Sequence, residues 1–138
     1  MFRPTKREDY FVDLPEYDTD IHLYKRDHCD EFFDYIANEC EGVIYSTGSK
    51  VYVDKVMDVI DPDRTIFKHR LYQESCGLIE YDEENLKELV KFIDEDILGR
   101  DEKRTVLLDT KYLCFWPNPD NAMPVKEFVG SKKEDNEL

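Results

Sequence analysis

The run Gly42-Val43-Ile44-Tyr45-Ser46 breaks at Thr47-Gly48-Ser49 and passes at once into a helical repeat, and this succession leaves the chain few architectures. The first piece reads as a short apolar strand. The repeat carries Val53, Val56, Met57 and Ile60 at helical spacing between Val51 and Ile60, and Asp61-Pro62-Asp63 stops it. A second strand, Thr105-Val106-Leu107-Leu108-Asp109, is of the buried parallel type and ends in a carboxylate. Strands alternating with helices give a mainly parallel sheet with helices on both faces, which is the α/β, Rossmann-like class. Chemistry in such sheets gathers at the carboxyl ends of the strands. Asp13, Ser46 and Asp109 stand at or near such ends.

The remaining pattern fills in around these two strands. Tyr10 to Val12 and Ile21-His22-Leu23-Tyr24 read as short strands about an acidic turn. Asp30 to Asn38 places Phe32, Phe33 and Ile36 on one side of a helix that Asp27 or Asp30 can cap. Ile66-Phe67 and His69 to Tyr72 are short extended pieces. Leu86, Leu89, Val90, Ile93 and Ile97 fit an amphipathic helix over Glu83 to Leu98, ended by Gly99. Ala122 to Val125 is a last short strand. The organisation expected is an N-terminal extension or flap remnant over 1–20, one domain over 21–129 and a charged tail over 130–138.

Charge and cysteine usage exclude several classes. With 33 acids against 19 bases the net charge is −14. That balance argues against nucleic acid, whose phosphates need a basic footprint, and it suits partners with basic surfaces. Cys29, Cys40, Cys76 and Cys114 form no C-x-x-C and have no histidine at metal spacing, so they read as reduced, mostly buried thiols of an intracellular protein. No apolar run reaches membrane-spanning length. His22, His28 and His69 read as surface or hydrogen-bonding residues. Trp116-Pro117-Asn118-Pro119 reads as a rigid loop carrying an aromatic anchor.

Four segments, "HLYKRDHCDEFFDYI", "VIYSTGSKVYVDKVMDVIDPDRTIFKHRLYQESC", "LGRDEKRTVLLDT" and "NPDNAMPVKEF", resemble in order and spacing the CTD-phosphatase-like domain. This domain is also called NLI-interacting-factor-like and belongs to the haloacid dehalogenase superfamily. The resemblance covers about Ile21 to Phe128. It implies a chemistry of four parts. One Asp attacks phosphorus and another, two residues on, protonates the leaving oxygen. A Ser or Thr hydroxyl and a Lys ammonium hold the phosphoryl oxygens. An acidic pair completes an oxygen cage for Mg²⁺.

Carried over residue by residue, the hydroxyl position falls on Ser46 and the metal position on Asp109, whose neighbour Thr110 replaces an acid or amide. Ser46 with the amides of Thr47 and Gly48 can hold phosphate, although a plain turn or helix cap explains it as well. Counting back from Leu98-Gly99-Arg100-Asp101 puts the lysine position on Ile93, while Lys91 points to another face of the expected helix. Two readings stand for "DYFVDLPEYDTDIHLYKR". In one, Tyr10 to Leu14 is the first central strand, Asp13 is a nucleophile remnant and Pro15 replaces the general acid. In the other, favoured by the 11 residues between Asp13 and Lys25, the stretch is the flap and the first central strand is lacking. Both lose the Asp-x-Asp pair.

The expectation is therefore a non-catalytic relative with no cofactor, in which Asp109 alone is a poor metal ligand. It would act as a structural or protein-binding subunit of a hetero-oligomeric assembly, with the mitochondrion as the favoured compartment. The alternative is a Mg²⁺-dependent protein Ser/Thr phosphatase whose first motif is missing from this chain.

Overall fold

A computed structural model describes residues 10–81, 86–129 and 138. The chain divides into two compact units, one of Met1–Ile44, Ser49–Arg70 and Phe128–Leu138, the other of Tyr45–Gly48 and Leu71–Glu127. The N-terminal nine residues, the acidic stretch at 82–85 and the tail from 130 to 137 lie outside the described residues.

In the first unit β1 (Tyr10–Leu14) and β2 (Thr19–Leu23) form an antiparallel hairpin in which Asp13 faces Asp20. The turn between them is a 3₁₀ segment starting at Pro15, whose fixed φ suits a first helical position. Val12 and Leu14 are buried while Phe11 and Asp13 are exposed, the period-two pattern of a strand with one covered face. Helix α1 (Cys29–Glu39) has His28 at its N-cap, whose side chain makes no capping bond, and Lys25 ion-pairs with Asp30 in its first turn. Phe33 of α1 meets Phe67 edge-on at 5.5 Å.

Strand β3 (Gly42–Tyr45) pairs with β4 (Phe67–Leu71), which joins the two extended pieces into one strand. Helix α2 (Lys50–Ile60) begins where the sequence predicts, with Ser49 as N-cap accepting from the Tyr52 amide, and it buries Val53 and Met57. At its end Asp61 is 3% exposed. Its carboxylate accepts from the amides of Thr65, Ile66 and Phe67 and from the Thr65 hydroxyl. Arg70, also buried, ion-pairs with Asp54 and Asp58 and donates to the Asp61 carbonyl.

The second unit corrects the helix expected over Glu83 to Leu98. Leu86–Val90 is instead β6, an antiparallel partner of β5 (Gly77–Tyr81) with Gly77 opposite Val90. Of the described residues in that span only Glu95–Leu98 are helical (α3), capped by Asp94 and ended by Gly99 at φ 64; residues 83–85 of the expected helix lie outside the described residues. The physical reason is that Leu86, Leu89 and Val90 sample too few residues to separate the two periods, and the neighbouring Gly-Leu-Ile-Glu-Tyr supplies a ladder partner. Strand β7 (Leu107–Asp109) pairs with β8 (Ala122–Pro124) in parallel. Ile93, Leu107 and Phe115 form this unit's core, with Leu98 and Ala122 packed on it.

The class is α/β, but the described strands form four two-stranded pairs, parallel and antiparallel, rather than one continuous parallel sheet. None of the four cysteines forms a disulfide, but against the expectation of mostly buried thiols only Cys114 is buried and Cys40 is exposed. At Gly77 an added Cβ would sit 1.9 Å from Cε2 of Phe92. Gly77→Ala is expected to cost about 1–3 kcal/mol by overpacking, read as a lower urea midpoint at unchanged slope.

Candidate functional site

The second unit gathers the chemistry. Strand β7 ends at Asp109, whose side chain is 12% exposed. One carboxylate oxygen accepts from Lys91 Nζ, and the other from the Lys111 amide at 3.0 Å. Burial alone would raise the Asp109 pKa; the Lys91 hydrogen bond and the Lys111 amide outweigh it and hold the carboxyl below its ordinary value. Lys91 directly follows β6 and is itself buried. It does not sit on a helix and does not face away from Asp109. The structure places Lys91 against Asp109 and puts Ile93, 3% exposed, in the core.

Local hydrogen bonds fix that placement. Asn118 accepts from the Ile93 amide at 2.9 Å and donates to the Ile93 carbonyl at 3.1 Å. A side-chain amide thus takes the place of a neighbouring strand just past Lys91. Below Lys91 lies the ring of Tyr45, with Nζ 5.8 Å from its centroid.

Ser46 follows Tyr45. Its amide donates to the Leu71 carbonyl at 2.9 Å, and its Oγ accepts from the Gly48 amide at 3.0 Å. The Gly48 amide is therefore spent on a turn, and the Ser46 hydroxyl keeps its own proton to donate. Thr110 is exposed beside Asp109. Cys76 and Cys114 lie nearby; burial pushes both thiols up, with Lys91 partly offsetting it in each. A raised pKa favours the thiol over the thiolate, the form that attacks.

Asp13 lies in the other unit, exposed on an antiparallel hairpin. A literal Asp-x-Asp-x-Thr also occurs at Asp61-Pro62-Asp63-Arg64-Thr65, a match that reading the sequence for strands passes over. It follows a helix, and Asp61 is turned inward onto the amides of 65–67. It is a helix-terminating turn.

Asp109 is one carboxylate with both oxygens engaged, and no group of three or more His, Cys, Asp or Glu could hold a metal among the described residues. Those residues do not by themselves fit a magnesium ion.

The model of the NLI interacting factor-like phosphatase family matches residues 1–138. The chain belongs to this family. Phosphatase Herzog of Drosophila melanogaster is 32% identical over 130 residues, which span 92% of this chain and 34% of that protein. The human carboxy-terminal domain RNA polymerase II polypeptide A small phosphatase 1 is 31% identical over 136 residues, 96% of this chain and 48% of that protein. A probable C-terminal domain small phosphatase of Dictyostelium discoideum is 30% identical over 139 residues, 99% of this chain and 42% of that protein. The chain thus spans between about a third and a half of these curated relatives. The family confirms the resemblance and the haloacid-dehalogenase-type α/β class. It overturns the expectation of a non-enzyme: the family is one of phosphatases and the relatives are named as phosphatases. That expectation rested on the joint loss of the Asp-x-Asp pair, the lysine and the second metal ligand; of these, the lysine position counted to Ile93 has an ammonium two residues away against Asp109.

Proposed function

We propose that this NLI interacting factor-like phosphatase chain is the phosphoryl-holding part of a protein serine/threonine phosphatase, with the attacking aspartate of the first motif carried outside these residues. The observation that carries it is the mostly buried Lys91–Asp109 pair at the carboxyl end of β7. Lys91 supplies the positive charge for the transferring phosphoryl oxygens, and the Ser46 hydroxyl supplies a hydrogen-bond donor. Asp109 holds the ammonium in place before substrate arrives. The names of the relatives support a phosphorylated protein segment as substrate.

The test uses the full-length protein with p-nitrophenyl phosphate and a phosphoserine peptide, with millimolar Mg²⁺ present or left out. Hydrolysis of both substrates that depends on Lys91 is the expected result. No hydrolysis above the uncatalysed background, which is extremely slow for phosphate monoesters, refutes the reading.

A further inference from the structure

We propose that Tyr45 is a positioning residue that pins Lys91 for phosphoryl binding; its consequence for turnover rests on the phosphatase reading above. Three contacts converge on one ring. The Tyr45 hydroxyl donates to the Ser75 carbonyl at 2.5 Å. The same oxygen accepts from the Phe92 amide at 3.4 Å. The ring's face receives Lys91 Nζ at 5.8 Å from the centroid, within the range of a cation–π contact. Tyr45 thus joins the strand before Ser46, the turn before β5 and the segment carrying Lys91.

The neighbourhood fits a pin more than general packing. Burial, partly offset by the Phe92 amide, holds the Tyr45 hydroxyl protonated, so it stays a donor to Ser75. Gly77 leaves room for the Phe92 ring where any side chain would intrude. The main chain beside Lys91 is therefore fixed by the Tyr45 hydroxyl at Phe92 and by Asn118 at Ile93. Asp109 pulls the ammonium from one direction and the ring supports it from another, so Lys91 has one position with respect to the serine that follows Tyr45. Fixing such a charge in advance is what makes it effective in a transition state.

Tyr45→Leu removes ring and hydroxyl together, whereas Tyr45→Phe keeps the ring face. Two readouts separate this proposal from the phosphatase reading. The first needs no turnover: the Lys91 ammonium cross-peak in nitrogen-15 NMR. It is expected in the native protein and in Tyr45→Phe, and lost through fast exchange in Tyr45→Leu. The second is kinetic. Tyr45→Leu is expected to lower kcat about tenfold with KM changed less than about twofold, and Tyr45→Phe to recover to within about threefold of native. In a Lys91→Met background, Tyr45→Leu should cause no further loss.

An unchanged Lys91 cross-peak in Tyr45→Leu overturns the proposal. So does an equal loss of kcat with and without Lys91, because the ring would then act through the fold alone. If the NMR pattern holds in a protein that hydrolyses nothing, the pin stands and the phosphatase reading falls. If Tyr45→Leu does not fold, Tyr45→Met fills the volume without a ring and carries the same expectations.

Discussion

Lys91→Met is expected to lower kcat for phosphoserine-peptide hydrolysis by about a hundred- to a thousandfold, the range seen when one preorganised group facing developing transition-state charge is removed. Methionine keeps the unbranched stem and removes the ammonium, so packing near Tyr45 changes little. Asp109 then loses the hydrogen bond that offsets its burial. Asp109→Asn, added to Lys91→Met, should recover stability without recovering turnover. The double variant Lys91→Met, Ile93→Lys settles which position matters. Ile93 is 3% exposed against Leu107 and Phe115, so a lysine there puts an unpaired charge in the core and restores nothing. Native-like activity in that variant would show that counting from Gly99, rather than geometry, had found the lysine.

Asp61→Ala is expected to destabilise the chain by about 3 kcal/mol, on the order of 10 °C in melting temperature. The carboxylate is buried and accepts from three successive amides and a hydroxyl, the Phe67 amide being buried as well. Removing it leaves the buried Phe67 amide without a partner and strips the half-buried Ile66 amide and the more exposed Thr65 donors of theirs. Burial opposes ionisation of Asp61, but the amides of Phe67, Ile66 and Thr65 prevail and set its pKa below the ordinary 3.8. A carboxylate depressed in the folded state gives stability that is fully present above that ordinary value and is lost as the pH falls through the folded one. The native protein should therefore lose stability on acidification below about pH 4, and Asp61→Ala should show a shallower loss. Identical acid profiles for the two would rule this account out.

Much of the first unit was legible because its signals are local. The apolar run at 42–45, the break at 47–49, the spacing of Val53 and Met57 and the stop at Asp61-Pro62 each act within a few residues, and α2 forms where they predict. The strand ending at Asp109 was legible for the same reason. The site was not. Lys91 and Asp109 meet across 18 residues of chain, and nothing near either announces the other. The segment from Leu86 to Val90 fits a helix as well as a strand until Gly77–Tyr81 is known to be beside it. Once a helix is assumed, residues two apart point to different sides; in an extended chain they share one. The expected helix turned Lys91 away from Asp109, whereas the described chain has no helix at Lys91 and places its ammonium on that carboxylate. The Asp-x-Asp-x-Thr at 61–65 misleads in the opposite direction, since the letters match while the first carboxylate is committed to the amides beyond it.

The grip of Asn118 on Ile93 makes the stretch after it a tolerant splice point. Upstream, Lys91 and Ile93 are anchored by contacts to Asp109 and Asn118; downstream, Gly99 ends α3 in a left-handed conformation with open space around its Cα. Between these anchors lie Asp94 and one helical turn with three exposed residues, Glu95, Asp96 and Ile97. Residues gained or lost there lengthen or shorten a surface turn, and doubling such a connection costs only about 0.6 kcal/mol in closure entropy. Length drift in this stretch leaves the ammonium where it is while it shifts every position counted from the far side. A peptide tag or fluorophore site inserted between Glu95 and Ile97 would report on the protein without displacing Lys91.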